Sequence, residues 1–177
     1  TIKIDGIFDE EAWSKAPIAT NFVQRSPENG VPVSDSLRTE VKILYDDTGV
    51  YFGAQMYDPH PEKIAKEMVE RDNVGNDDIF GVVLNGYNDK QQSLEFLVMP
   101  TGVQYDAKIT NDNGEDSSWN GVWYSAAKIN EKGWFAEIKI PYSELRFPKN
   151  KVQDWGFNIV RRIQRTKVMY DWNLVNN

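Results

Sequence analysis

The feature that most constrains this chain is a recurring alternation of apolar and polar residues in short runs. In SLRTEVKILYDD (36–47) and GWFAEIKIP (133–141), most residues of one parity are apolar or β-branched. Side chains of a strand point alternately to its two faces, so this period of two predicts half-buried strands. Further runs lie at 78–86, 93–99, 102–109, 122–129 and 155–165. The pattern predicts an all-β antiparallel β-sandwich with at most short helices, one of them near residues 62–68.

Two of the runs are apolar on both faces. In DIFGVVLNG, Ile79 and Val83 make the second face apolar, and in SLEFLVMP the residues Leu97 and Met99 do the same. Such strands are central and covered on both sides, so we expect a loop, a partner domain or a ligand over the second face. The residues expected to be buried between the sheets are Trp13, Phe80, Val82, Leu84, Phe96, Val98, Trp134, Ile138, Phe157 and Ile159.

Charge and composition exclude several classes of function. The chain has 20 Lys and Arg against 27 Asp and Glu and lacks a basic stripe, so nucleic acid is not an expected partner. It has no cysteine, and no apolar stretch approaches the roughly 18 residues of a membrane span. Residues 1–177 fit one domain. Because the chain opens at Thr1 without Met or a signal peptide, we expect a piece of a longer protein.

The acidic loop in RDNVGNDDIFGVVLNGY is a candidate metal site. Its spacing does not match an EF-hand, but a looser structural calcium site could use Asp72, Asn76, Asp77 and Asp78 with backbone carbonyls. The alternative is a polar turn in which Asp77 or Asp78 accepts hydrogen bonds from loop amides. We favour the turn, with calcium bound by Asp72 and Asp77 as the second interpretation.

Other polar and aromatic residues offer no catalytic constellation. Arg161 lies on an apolar strand face and is expected to pair with a carboxylate of a neighbouring strand. Arg162, on the more polar face, is the better ligand candidate. Trp119 lies in an acidic loop and is either a stacking platform or a hydrophobic anchor for that loop. The only histidine, His60, lies in a proline-flanked turn.

Six phrases occur together in an order that resembles a known family: IDGIFDEEAWSKA, TEVKILYDDTGVYFGAQMYD, RDNVGNDDIFGVVLNGY, FLVMPTGVQYD, GWFAEIKIPYSELRF and WGFNIVRRI. They resemble the family 9 carbohydrate-binding-module-like domain, within the wider DOMON-like β-sandwich group. The version most similar to these phrases is the amino-terminal domain of large bacterial envelope proteins whose remainder resembles an outer-membrane β-barrel. The resemblance implies a sandwich that binds sugar on a concave face, often with structural calcium.

The chain departs from the family's sugar site. Where one of two clamp tryptophans is expected it has Arg71, Val74 and Gly75, and the other clamp position matches Trp172. The strand positions that would carry polar ligands match Gly81, Leu97, Met99 and Val160. A working site is expected to expose Trp172 beside a groove, and its predicted ligand-binding residues are Trp172, Arg71, Asp78, Asn158, Arg162 and Trp119.

The preferred function is a non-catalytic module that binds polysaccharide or oligosaccharide for a larger secreted, periplasmic or outer-surface protein, without inserting into the membrane itself. A glycoside hydrolase activity elsewhere in that protein stays open. The alternative is a structural or interaction domain of an outer-membrane protein, contacting the rest of the parent chain. Coverage of Leu97 and Met99, with Trp172 packed under a loop, would favour it. A haem site at His60 or Met99 ranks behind both.

Overall fold

The computed structural model describes residues 2–7, 10–89 and 91–173 and shows two antiparallel sheets. Its strands are β1 (Ile18–Ala19), β2 (Val23–Ser26), β3 (Thr39–Tyr45), β4 (Gly49–Tyr57), β5 (Ile79–Asn85), β6 (Gln92–Val98), β7 (Gln104–Thr110), β8 (Gly114–Asp116), β9 (Tyr124–Asn130), β10 (Gly133–Pro141), β11 (Gly156–Ile163) and β12 (Val168–Asp171). The five-stranded sheet has the order β1-β3-β4-β10-β9, and the seven-stranded sheet β2-β12-β11-β5-β6-β7-β8. The antiparallel sandwich predicted from the sequence is confirmed.

The turn of the hairpin between β3 and β4 is stabilised by the side chain of Asp46. The Asp46 carboxylate accepts hydrogen bonds from the amide and hydroxyl of Thr48, at 2.8 and 2.6 Å, and from the hydroxyl of Tyr51 at 2.9 Å. These bonds, led by that from the Thr48 hydroxyl, lower the pKa of Asp46 to about 2. The turn thus has its own side-chain acceptor, which stabilises the reversal of the chain.

The helix predicted near residues 62–68 is wrong. Only a single 3₁₀ turn, Pro61–Lys63, forms there, and the chain beyond it is not helical. A helix this short is marginal without packing, and here tertiary contacts favour an extended path. Ile64 is buried in the core between the sheets, and the amide of Asp78 donates to the carbonyl of Ala65. The α-helix of the described residues is α1 (Glu11–Lys15).

The predicted core is confirmed for eight of its ten residues. They form the buried cluster between the sheets: Phe80, Val82, Leu84, Phe96, Val98, Trp134, Ile138 and Ile159. Phe157 is only half-buried, because it lies at the start of β11 and stacks on Trp172. Trp13 is buried but lies outside this cluster. Its carbonyl accepts a hydrogen bond from Lys42 Nζ, on the outer face of β3, so α1 covers the five-stranded sheet from outside.

Arg161 connects the two sheets through the core. Its side chain is fully buried on β11, and its guanidinium donates to the carbonyls of Leu37 at 2.6 Å, Arg38 at 3.2 Å and Tyr57 at 2.8 Å. A fourth bond goes to the hydroxyl of Thr39 at 3.2 Å. The predicted carboxylate partner is therefore wrong, since the acceptors are mainly backbone carbonyls. Burial lowers the pKa of Arg161 to about 10, so it stays charged at neutral pH.

Truncating the core should test the packing between the sheets. We expect Phe96→Ala or Trp134→Ala to lower the free energy of unfolding by about 3–5 kcal/mol, because each removes a fully buried aromatic ring. Urea unfolding measures the loss. Tyr124→Ala, at an exposed position on β9, serves as control. A loss below about 1 kcal/mol for the core variants would contradict the packing described here.

Removing the guanidinium of Arg161 should cost as much as removing a core ring. We expect Arg161→Ala to lower the free energy of unfolding by about 3–5 kcal/mol, because one buried and three partly buried acceptors lose their donor. Arg161→Lys should recover part of the loss. The exposed Arg146→Ala should stay within about 0.5 kcal/mol in the same urea experiment. Equal losses for Arg146→Ala and Arg161→Ala would contradict the role of the inter-sheet bonds.

Candidate functional site

The outer face of the seven-stranded sheet is partly covered by residues 64–78, which we call the covering segment. Its backbone joins the sheet where the amide of Asp72 donates to the carbonyl of Gln104 at 3.1 Å. Val74 packs on a buried apolar cluster of the outer face, formed by Ile79, Leu97, Met99, Tyr105, Ala107 and Val160. Leu97 is 6% exposed and Met99 is fully buried. The second apolar face noticed in the sequence is therefore covered by the chain itself.

Gly81 allows Leu97 to lie flat across the neighbouring strand. A Cβ atom at Gly81 would stand 2.2 Å from the Leu97 Cδ2 atom and 2.7 Å from the carbonyl oxygen of Phe96, closer than any real contact. The two residues are paired across β5 and β6. Glycine here is required by the close approach of Leu97, which fills the position where the resemblance implied a polar sugar ligand.

The carboxylates of the acidic loop are used within the protein. Asp77 Oδ1 accepts from the amide of Glu67, and Asp78 Oδ1 accepts from the amide of Gln164 at 2.9 Å. This is the polar turn preferred in the sequence interpretation. Both side chains are buried, and desolvation raises the pKa of Asp77 and of Asp78.

Calcium stays a prediction. The Oδ2 atoms of Asp77 and Asp78 are buried without a hydrogen-bond donor among the described residues. Asp72 Oδ1 accepts from the amide of Asp106 at 3.3 Å. In the part of the chain that the structure describes, no group of three or more His, Asp or Glu side chains is placed to hold a metal ion. Calcium prefers six to eight oxygen ligands, so backbone carbonyls would have to complete any site at Asp72 and Asp77.

Two of the predicted ligand residues lie near the edge of the sheet beyond β7. Arg71 is exposed, and its guanidinium donates to Asp106 at 2.5 Å and to the carbonyl of Gly121 at 3.0 Å. Trp119 is half-buried and packs edge-on against Phe96, with ring centroids 5.8 Å apart. This contact favours the anchoring interpretation of Trp119.

Trp172 and Asn158 lie together near β11. Trp172 is half-buried and stacks on Phe157, with ring centroids 5.2 Å apart and planes at 16°. Asn158 Oδ1 accepts from the amide of Asn173 at 2.9 Å, and its Nδ2 donates to the carbonyl of Asn173 at 3.2 Å. Three strand spacings, or ~14 Å, separate β11 from β7, so Trp172 and Arg71 do not share one narrow clamp.

Arg162 and Asp78 are committed to the covering segment and its surroundings. The guanidinium of Arg162 donates to the carbonyls of Asp77 at 2.8 Å and Gly75 at 3.2 Å. Asp78 is fully buried. Arg162 therefore holds the covering segment through backbone carbonyls, and the carboxylate of Asp78 is closed to solvent.

Part of the outer face remains open beyond the covering segment. There Asn158, Val83 and Glu95 are cross-strand neighbours on β11, β5 and β6, and all three are half-buried. We call these three residues the outer-face strip. Arg25 flanks it and pairs with Asp171, with Nε and Oδ2 3.5 Å apart. The strip places an amide and a carboxyl side by side on one face of the sheet, which is the kind of donor and acceptor set that binds hydroxyl groups.

Glu95 is the strip residue that the sequence interpretation missed. Burial first and the charge of Glu115 second raise its pKa to about 7, and the charge of Arg25 opposes the shift. Its only signal in the sequence was a lone acid in the apolar run SLEFLVMP, on the parity of Leu97 and Met99. Near neutral pH its carboxyl is close to half ionised, so it can both donate and accept a hydrogen bond.

Comparison with known proteins decides the family. A family model described as "carbohydrate family 9 binding domain-like" matches residues 4–167. The chain belongs to this family. It is similar to a family 9 carbohydrate-binding module from Caldicellulosiruptor kristjanssonii in complex with cellotriose, at 15% identity and a TM-score of 0.66, covering 97% of this chain and 80% of that one. The same module in complex with glucose matches at 17% identity and 0.66, covering 97% and 81%.

A third similar structure is a candidate carbohydrate-binding protein from Bacteroides uniformis. It matches at 8% identity and a TM-score of 0.71, and covers 92% of this chain and 79% of that one. No curated protein matches the chain at a significant level. At these identities the solved structures show that the fold is shared, while the family assignment rests on the model match.

The raised pKa of Glu95 predicts how stability depends on pH. Its folded pKa of about 7 lies above the ordinary 4.5, so the folded state binds more protons, and stability falls as pH rises between these values. The free energy of unfolding should therefore fall between pH 5 and pH 8. We expect this fall to be smaller in Glu95→Gln, by on the order of 1–2 kcal/mol. Urea unfolding at both pH values measures it, with the exposed Glu131→Gln as control. An unchanged pH dependence in Glu95→Gln would contradict the shift.

Proposed function

We propose that this domain is a non-catalytic carbohydrate-binding module of a larger secreted or cell-envelope protein. The observation that carries the proposal is the match of the family model across residues 4–167. Two of the similar structures hold cellotriose and glucose, which supports a saccharide ligand for this chain too. The resemblance of the sequence motifs to the amino-terminal domain of bacterial envelope proteins supports a periplasmic, secreted or outer-surface location, which we propose for this domain.

The ligand surface that we propose is the outer-face strip, with Trp172 at its end, where the indole stacks on Phe157 and packs against the core between the sheets. Asn158 connects the two, since it bonds to the backbone of Asn173 directly after Trp172. A sugar could use the Glu95 carboxyl and the Asn158 amide for its hydroxyls and the indole for a C–H face. With one tryptophan and few polar groups, we expect weak binding, on the order of millimolar, or about −4 kcal/mol.

Calorimetric titration with cellotriose and glucose tests this function. We expect binding by the intact domain, a loss of at least about tenfold in Trp172→Ala, and a smaller loss in Asn158→Ala. Tyr124→Ala, on the other sheet, should bind as the unaltered domain does. Running each titration with calcium chloride and with a chelator tests the calcium prediction as well. A flat response to a broad set of oligosaccharides would contradict a sugar-binding role.

The second candidate is a structural or interaction domain, and one observation favours it. Leu97 and Met99 are covered, and Arg162 is bonded to the covering segment, so much of the expected sugar face is closed. This alternative also expects Trp172 to be packed under a loop, and Trp172 is only half-buried. Within the described ranges, no helix is long and apolar enough to cross a membrane. A flat glycan titration with an intact fold would favour the interaction domain.

A further inference from the structure

A large cavity opens between the two sheets at one end of the sandwich, and we call it the end cavity. Its volume is about 700 Å³, within the range of about 300–1,000 Å³ that is typical of small-molecule pockets. Leu84 and Phe157 line it from the seven-stranded sheet, and Val50 and Phe52 line it from the five-stranded sheet. It therefore lies inside the sandwich and is separate from the outer-face strip.

The wall of the end cavity is rich in aromatic rings held by one another. Six of its twelve lining residues are aromatic: Tyr45, Phe52, Tyr142, Phe147, Trp155 and Phe157. The ring centroids of Phe147 and Trp155 are 5.2 Å apart, and those of Tyr142 and Trp155 are 6.1 Å apart with planes at 79°. A preformed wall of this kind binds a ring without first having to order its own side chains.

The mouth of the end cavity exposes apolar surface that a folded chain ordinarily hides. Tyr45, at the end of β3, is 81% exposed and Val152, in the segment after β10, is 82% exposed. These are among the largest exposed fractions of the described hydrophobic side chains. The concave shape favours a small molecule over a protein partner, because a stable protein interface needs about 800 Å² on each side.

The indole N–H of Trp155 does not face the end cavity. It is inaccessible to solvent and has no hydrogen-bond acceptor among the residues that the structure describes. A ligand in the cavity therefore meets the ring of Trp155 and not its N–H.

The lining also indicates what charge and polarity the ligand should have. Lys151 and Gln153 are the only lining residues with charged or amide side chains, and Gln153 Nε2 already donates to the carbonyls of Pro148 and Asn150. A free sugar would leave most of its hydroxyls unpaired in such a cavity, at a cost in free energy. Asp46 and Asp47 follow Tyr45 directly, so an anion is disfavoured as well.

We propose that the end cavity binds a neutral, largely apolar aromatic ring compound. The rings of the wall pack on its faces and edges. This site goes beyond the proposed sugar-binding function and does not depend on it, because the outer-face strip lies on the other face of the seven-stranded sheet and only Trp172, which stacks on Phe157, adjoins both.

Naphthalene and coumarin, two neutral bicyclic aromatic compounds, are suitable probes, and decalin is the saturated analogue of naphthalene. Binding is followed by two-dimensional amide NMR of the intact domain. We expect naphthalene and coumarin to shift signals of residues around the end cavity and decalin to bind more weakly. Trp155→Leu, which removes one ring of the wall, should weaken both aromatic probes about five- to tenfold.

Substitutions at the mouth separate this site from the sugar surface. Because both positions are largely exposed, Tyr45→Ala and Val152→Asp should fold normally and weaken both probes, while Tyr124→Ala should not. Saturating cellotriose should leave coumarin binding unchanged. The proposal is overturned if neither aromatic probe binds, if their affinities in Tyr45→Ala and Val152→Asp equal those in the unaltered domain, if Trp155→Leu leaves both unchanged, or if cellotriose displaces them. None of these outcomes bears on whether the domain binds sugar.

Discussion

The buried guanidinium of Arg161 is the interaction on which the arrangement of the two sheets depends. It leaves β11 of one sheet and donates to three carbonyls and one hydroxyl of the other, around the start of β3 and the end of β4. A guanidinium has five N–H donors in a fixed plane, so it can satisfy several acceptors at once. Because a buried charge without partners would be very costly, the sheets cannot slide or separate at this point without losing all of these bonds.

The surroundings of Arg161 explain why its charge is tolerated. Asp78 and Asp58 are buried nearby, and both favour its charged form against the desolvation that lowers its pKa. Asp58 itself is held by Arg165, with distances of 2.6 and 2.8 Å. Within the loop that precedes β5, Asp78 therefore serves the core first, because its charge favours that of Arg161 and its Oδ1 accepts from the amide of Gln164. This role accounts for the acidic loop without requiring a ligand there.

The covering segment gives this member of the family a different outer face from the one its resemblance implied. Leu97, Met99 and Val160 make an apolar surface, and Val74 covers it. Burying that surface stabilises the fold but removes the positions at which polar side chains would meet a sugar. What remains open is a shorter strip next to Trp172 and, at the other side of the sheet, the aromatic end cavity. The scaffold is shared with its relatives while the binding surfaces are redistributed, as is common for widespread folds.

The sequence by itself determined the strands, the sandwich, most of the core and the family. Period-two alternation is a local property, so Phe80, Val82 and Leu84 could be placed on one face before any pairing was known. Which side chains become neighbours across strands depends on register and on distant contacts. Only the tertiary structure decided that backbone carbonyls would accept hydrogen bonds from Arg161 and that residues 64–78 would cover the outer face in place of a helix. It also decided that Trp13 would lie outside the core between the sheets and that Glu95 would align with Asn158. Each of these depends on segments far apart in the chain, whose contacts no local pattern encodes.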